Sequence, residues 1–136
     1  EAISRFLFAS QPDAAFDAEF EALGVDLVLA GHAGLPFART SGERLWLNAG
    51  VIGMPANDGD PRGWFLTLDD AGGHAFHRLD YDWRSAALDM RFNGLPEPYA
   101  RALETGLWPS LDVLPAAERA ATGLSPDLSQ GASPAI

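Results

Sequence analysis

Three side chains stand where the sequence is able to build chemistry: His32, Asn48 and Arg62. The first two each follow an apolar run. Leu27 to Ala30 stops in Gly31-His32-Ala33-Gly34, and Leu45 to Leu47 stops in Asn48-Ala49-Gly50. Short apolar runs cut off by glycine turns read as buried strands. In α/β architectures ligands bind in the crevice beyond the strand ends, so polar residues placed there are the first candidates for a site. A neutral imidazole at such a turn is a ligand for zinc, manganese or iron, or a turn histidine bonded to a neighbouring carbonyl. Asn48 either hydrogen-bonds its own turn or holds the geometry of a metal loop. Arg62 either grips a phosphate with paired donors or pairs with Asp58 or Asp60.

A family resemblance is carried by two of these segments. Gly31-His32-Ala33-Gly34-Leu35-Pro36-Phe37 resembles the Gly-His-Thr-His-x-Pro-Phe segment of calcineurin-like metallophosphoesterases, and Asn48-Ala49-Gly50-Val51-Ile52-Gly53 resembles their Asn-Pro-Gly-Ser-Val-Gly turn. The two occur in order, each at an expected strand end, and the likeness runs from Arg5 to Asp82. It implies an α/β (α+β) fold in which a mixed β-sheet with flanking helices forms the later half of a four-layer α/β/β/α sandwich. It also implies a metal-dependent phosphoesterase, a phosphatase-type hydrolase in which a metal-bound hydroxide attacks a small phosphate-ester substrate. The implied cofactor is a divalent transition metal (Mn, Fe or Zn), dinuclear only with residues outside this chain. His32 is the implied metal ligand, with Asn48 and Arg62 on the substrate side; no residue is singled out as catalytic.

The departures from that family pattern matter as much. Both histidines of the first motif bind metal in the family, whereas the second is Gly34 here, and Phe8-Ala9 stands where a His-Gly-Ser-Pro turn is expected. Gly34 is therefore either a loop residue needing positive φ or a metal position vacated and filled by water or by a residue from elsewhere. The Asp-x-His, Gly-Asp and Gly-Asn-His-Asp motifs of the earlier half do not occur. The isolated chain is accordingly expected to be inactive, with a missing N-terminal half or a homo-oligomer partner completing it. The rival expectation is a non-catalytic, degenerate phosphoesterase-like binding or scaffold protein, and a third is a plain α+β interaction module.

The elements that position these residues follow from local pattern. Arg5 to Phe8 is a strand candidate. Asp13 caps a helix through Leu23, with Phe16, Phe20 and Leu23 on one face and Gly24 as its stop, so that strand, helix and Val25–Ala30 make a right-handed βαβ unit. Residues 57 to 61, Asn-Asp-Gly-Asp-Pro, read as a solvated loop without the oxygen spacing of a calcium loop. Gly63–Leu68 and His74–Leu79 form an antiparallel hairpin, extending the mixed sheet to four or five strands. His74 and His77, three apart on a strand, point to opposite faces and do not share an ion. Helices follow at Trp83–Phe92, Pro96–Leu103 and Pro115–Ala121, and Trp83, Phe92, Tyr99 and Trp108 are expected as satellite core. The expected organisation is a phosphoesterase half-domain over 1–82, a helical extension over 83–123 and a flexible tail over 124–136.

Composition bounds the rest. The 136 residues carry 19 acids against nine bases, all of them arginine, for a net charge of −10. An acidic surface repels a polyphosphate backbone, which excludes nucleic acid as the expected partner. Zero cysteines remove thiolate catalysis and zinc–thiolate sites. No apolar run approaches the roughly 20 residues that span a bilayer, so no membrane association and a cytoplasmic location are expected. The first residue is Glu1 rather than Met, which fits a processed product or a fragment. No Walker-type loop, Gly-x-Ser-x-Gly elbow or internal repeat is found.

Overall fold

A computed structural model describes residues 6–128. The elements run α1 (Asp13–Leu23), β1 (Leu27–Ala30), β2 (Pro36–Ser41), β3 (Arg44–Ala49), β4 (Gly63–Leu68), β5 (His74–Leu79), α2 (Trp83–Phe92), α3 (Glu97–Thr105) and α4 (Ala116–Ala120).

The four-residue spacing of Phe16 and Phe20 puts both rings on one face of α1, where they are buried edge-on against Trp46 at 5.6 and 5.9 Å between centroids. Leu7 and Phe37 complete this cluster, and Val28 and Ala30 pack on it from β1. Leu23, expected on the same helix face, is 57% exposed, and β1 is not the buried strand expected: only one of its faces is covered, and Leu27 and Leu29 on the other are 40% and 56% exposed. Gly24 ends the helix in the left-handed region, its N–H donating to the Phe20 carbonyl. The start differs from expectation. Pro12 occupies the cap position without a side-chain bond, and Asp13 pairs instead with Arg39 at 2.5 Å.

The first sheet has the order β1-β3-β2. β3 pairs in parallel with β1, Leu27 opposite Leu45 and Ala30 opposite Asn48, and antiparallel with β2, Pro36 opposite Ala49 and Ser41 opposite Arg44. Sequence pattern did not predict β2. Its Arg39-Thr40-Ser41 half lacks apolar alternation, and pairing with β3 plus burial of Phe37 and Ala38 is what makes it a strand. The parallel register brings the ends of β1 and β3 level, so the turn holding His32 lies beside the end of β3, where Asn48 is the penultimate residue.

Two expectations about the sheet are corrected. Hairpin β4–β5 does not extend the first sheet but forms a second, two-stranded one. Residues 6–8 are not a strand and Arg5 lies outside the described residues, so no βαβ unit forms among the described residues; the parallel partner of β1 is β3. The fold class stands: a mixed sheet, a second small sheet and flanking helices.

Asp82 caps α2, accepting from the Ser85 N–H at 3.0 Å and its hydroxyl at 2.7 Å. The α2–α3 seam is built on Ala87, Ala100 and Leu103, with Ala86 and Met90 beside them. Small residues let the helices approach closely, and the aromatic residues are consequently turned outward. Phe92 is 90 % exposed and Tyr99 46 %, while Trp83 is half-buried with the Arg84 guanidinium 4.1 Å over its ring. Of the four aromatics expected as satellite core, Trp108 alone joins a described core cluster, with Phe8, Ala33 and Leu114. The stretch from Asn57 to Pro61 is also not the solvated loop expected, since Asn57 and Asp58 are 3 % and 7 % exposed. The expected tail falls outside the described residues from position 129 onward.

Candidate functional site

The strand-end turns are locked to each other through Asn48. Its side-chain amide is buried; Nδ2 donates to the Gly31 carbonyl at 3.1 Å and Oδ1 accepts from the Gly50 N–H at 2.9 Å. Both readings of this residue are thus realised together: it bonds its own turn and fixes the neighbouring one. The turns touch closely enough that a Cβ on Gly31 would lie 3.3 Å from the Gly50 carbonyl oxygen. His32, in the left-handed region at φ 63°, stands exposed beside them, its ring stacked on Phe6 at 4.7 Å and 12°. A non-glycine residue in that region carries a conformational cost, which the flanking glycines do not relieve.

Gly34 sits at φ 80° beneath an indole. A Cβ built there would lie 2.6 and 2.7 Å from Cζ2 and Cη2 of Trp108. That ring is held from two sides, Nε1 donating to the Pro55 carbonyl at 2.7 Å and the backbone N–H donating to Asn57 Oδ1 at 2.9 Å. Asn57 is in turn anchored by donation from its Nδ2 to the Thr122 hydroxyl at 3.0 Å. Phe8 is 2 % exposed and packs with Ala33 and Leu114, so the Phe8-Ala9 turn presents hydrocarbon at this place.

Arg62 belongs to another network. Its guanidinium donates to both oxygens of Asp60, at 2.6 to 3.1 Å, which resolves the pairing left open between Asp58 and Asp60. That side-chain hydrogen bond is the main cause holding the Asp60 carboxyl down at about 2, with burial opposing it and Arg78 assisting. Asp58, whose side chain is fully covered, pairs with Arg78 at 2.7 Å and accepts from Trp64 Nε1 at 3.3 Å, while Arg78 lies 4.0 Å over the Trp64 ring. The structure therefore joins His32 to Asn48 through Gly31 and places Arg62 in a charge network of its own.

By themselves the described residues do not make up a dinuclear metal centre. His32 offers one donor, the Asn48 amide is engaged by backbone, and among the described residues no three His, Cys, Asp or Glu side chains converge. His77 stacks on Phe65 at 5.0 Å and reaches Thr67 Oγ1 at 2.9 Å, while His74 meets the edge of Phe76. A cavity of 520 Å³ lies along β2, lined by Leu35 to Arg39, Ala56, Asn57 and residues of α4. Several of its polar groups are engaged internally, Ser10 donating to Glu118 and Arg39 to the Ala9 carbonyl and Asp13. Trp108 was expected as satellite core and is packed as such, but its placement over Gly34 was not legible, because an isolated tryptophan in an irregular turn carries no local sign of what it covers.

No protein-family model and no curated protein matches the sequence. Among solved structures the chain is similar to a hypothetical protein from Pyrococcus horikoshii OT3, with a TM-score of 0.66 and 17% identity over 79% of this chain. It is also similar to a metallophosphoesterase from Sphaerobacter thermophilus, with a TM-score of 0.59 and 26% identity over 68% of this chain. The chain spans 43% and 46% of the lengths of these two proteins. The fold is accordingly an α+β arrangement of the kind found in a metallophosphoesterase-like half domain. No helix among the described residues is long and apolar enough to cross a membrane.

Proposed function

We propose that this chain is a non-catalytic, phosphoesterase-like module that retains the strand-end scaffold and uses it for binding or assembly rather than hydrolysis. The observation that carries this reading is the donor set at the strand ends: one exposed imidazole beside a buried asparagine whose amide nitrogen and oxygen each bond backbone. Activating a water at neutral pH requires an ion held by several donors or a positioned base, and this cleft supplies neither from the described residues. The test is hydrolysis of p-nitrophenyl phosphate by the purified chain with added manganese, together with metal analysis. The expected result is no turnover above the protein-free control, unchanged in His32→Ala. Turnover that disappears in His32→Ala overturns the reading.

A second reading is favoured by the exposure of His32 at the mouth of β1 and by the chain's spanning less than half of either neighbour. In it, the module is one part of a metal-dependent phosphoesterase. The remaining donors for a Mn, Fe or Zn site, and the contacts to a small phosphate ester, come from an N-terminal half or a second copy. Arg62 and Asn48 then act by shaping the cleft rather than by free donors, since both are engaged within the chain. Bound transition metal that is lost in His32→Ala would support this reading over the first.

A further inference from the structure

We infer that Trp108 is a built-in plug at the Gly34 position: its indole occupies the volume that a second metal-ligating side chain would need, and glycine at 34 is what admits it. The inference deepens the reading of the cleft as a binding rather than hydrolytic site, and rests on that reading only for its functional meaning; the packing claim stands by itself. Overlap at 2.6 and 2.7 Å involves the six-membered ring of an indole pinned at Nε1 by Pro55 and at its backbone N–H by Asn57. Such a ring is not the free end of a flexible side chain. The first atom of any side chain at 34, histidine included, meets it before a donor is reached. The Phe8-Ala9 turn, the other departure from the resembled pattern, offers no donor side chain either, and Phe8 is a buried ring in the same cluster as Trp108. On this inference the place beside Gly34 takes hydrocarbon from the segment after α3, where Trp108 packs with Phe8, Ala33 and Leu114, rather than a cation.

Two effects oppose a side chain at 34, and a double-mutant cycle separates them. Positive φ alone lowers the folding constant of Gly34→Ala by about tenfold. Overlap with the indole lowers it by roughly a further ten- to a hundredfold. The backbone effect is the same in a Trp108→Gly background and the overlap is absent there. Folding constants from urea titration are therefore expected to fall at least about tenfold more for Gly34→Ala in the wild-type background than in Trp108→Gly. Equal losses in the two backgrounds overturn the plug. If Gly34→Ala does not fold, the unmutated protein carries the test: a nuclear Overhauser contact between the Gly34 α-protons and Trp108 Hζ2 or Hη2 is expected, and its absence overturns the claim. Metal analysis with manganese supplies a separate arm, in which two ions per unmutated chain overturn the plug. Hydrolysis by that chain would overturn the binding reading while leaving a positive mutant cycle in place, so the two failures are distinguishable.

Discussion

Replacing Asn48 by alanine tests the geometry on which every statement about the cleft depends. The substitution removes the donor to the Gly31 carbonyl and the acceptor of the Gly50 N–H. Gly50 is buried, so its N–H loses a partner that water does not replace, at about 1–3 kcal/mol. Gly31 is exposed and its carbonyl regains water, so that bond contributes only about 0.5–1.5 kcal/mol. The sum, about 1.5–4.5 kcal/mol, lowers the melting temperature by roughly 10 °C for a domain of this size. Urea unfolding followed by circular dichroism is the assay, with the slope expected to be unchanged. Asn48→Asp sharpens it. Aspartate keeps the acceptor for Gly50 but sets a carboxylate against the Gly31 carbonyl, so this variant should gain stability on acidification, when a protonated acid donates in place of Nδ2. A loss below about 1 kcal/mol for Asn48→Ala, or a pH-independent Asn48→Asp, would refute the reasoning.

The charge network at residues 58–78 makes two further predictions. Asp60 titrates at about 2, below its ordinary 3.8, chiefly because of the hydrogen bond from Arg62. The depressed carboxyl contributes stability that is fully present above pH 3.8 and is lost as the pH falls through about 2. Arg62→Ala should therefore raise the Asp60 titration midpoint toward its ordinary value in a carboxyl-carbon NMR titration, and an unmoved midpoint would contradict the assignment. Asp58→Ala leaves Arg78 partly buried without its nearest partner and should cost about 3 kcal/mol. Asp58→Ala combined with Arg78→Met should recover much of that loss, and additive losses would show that the pair does not interact as described.

How far the sequence was legible depends on where each residue's partners lie. The span and stop of helix α1 were readable because their signals are local, Phe16 and Phe20 at one-turn spacing and Gly24 at the end, whereas its cap was not, since Asp13 is drawn away by Arg39. The β4–β5 hairpin was readable to the residue, since two apolar runs flank a glycine-containing loop. Strand β2 was not, because its strand character comes from pairing with β3, and neither was the separation of the hairpin from the first sheet. Asp58 looked like a solvated loop acid because Arg78, which neutralises it, comes from a strand that sequence pattern does not bring near.

The same division runs through the site. Sequence alone determined that His32 lies just past one strand and Asn48 at the end of another, since apolar runs cut off by glycine turns suffice for that; it did not determine burial, for Leu27 and Leu29 of β1 are 40% and 56% exposed. Tertiary structure alone decided that Asn48 faces backbone, that Arg62 is already paired, and that Trp108 covers Gly34. Each of these is a contact between segments distant in the chain or a choice among several nearby partners. Local composition is silent on such contacts, because their free energy appears only once the chain has closed around them.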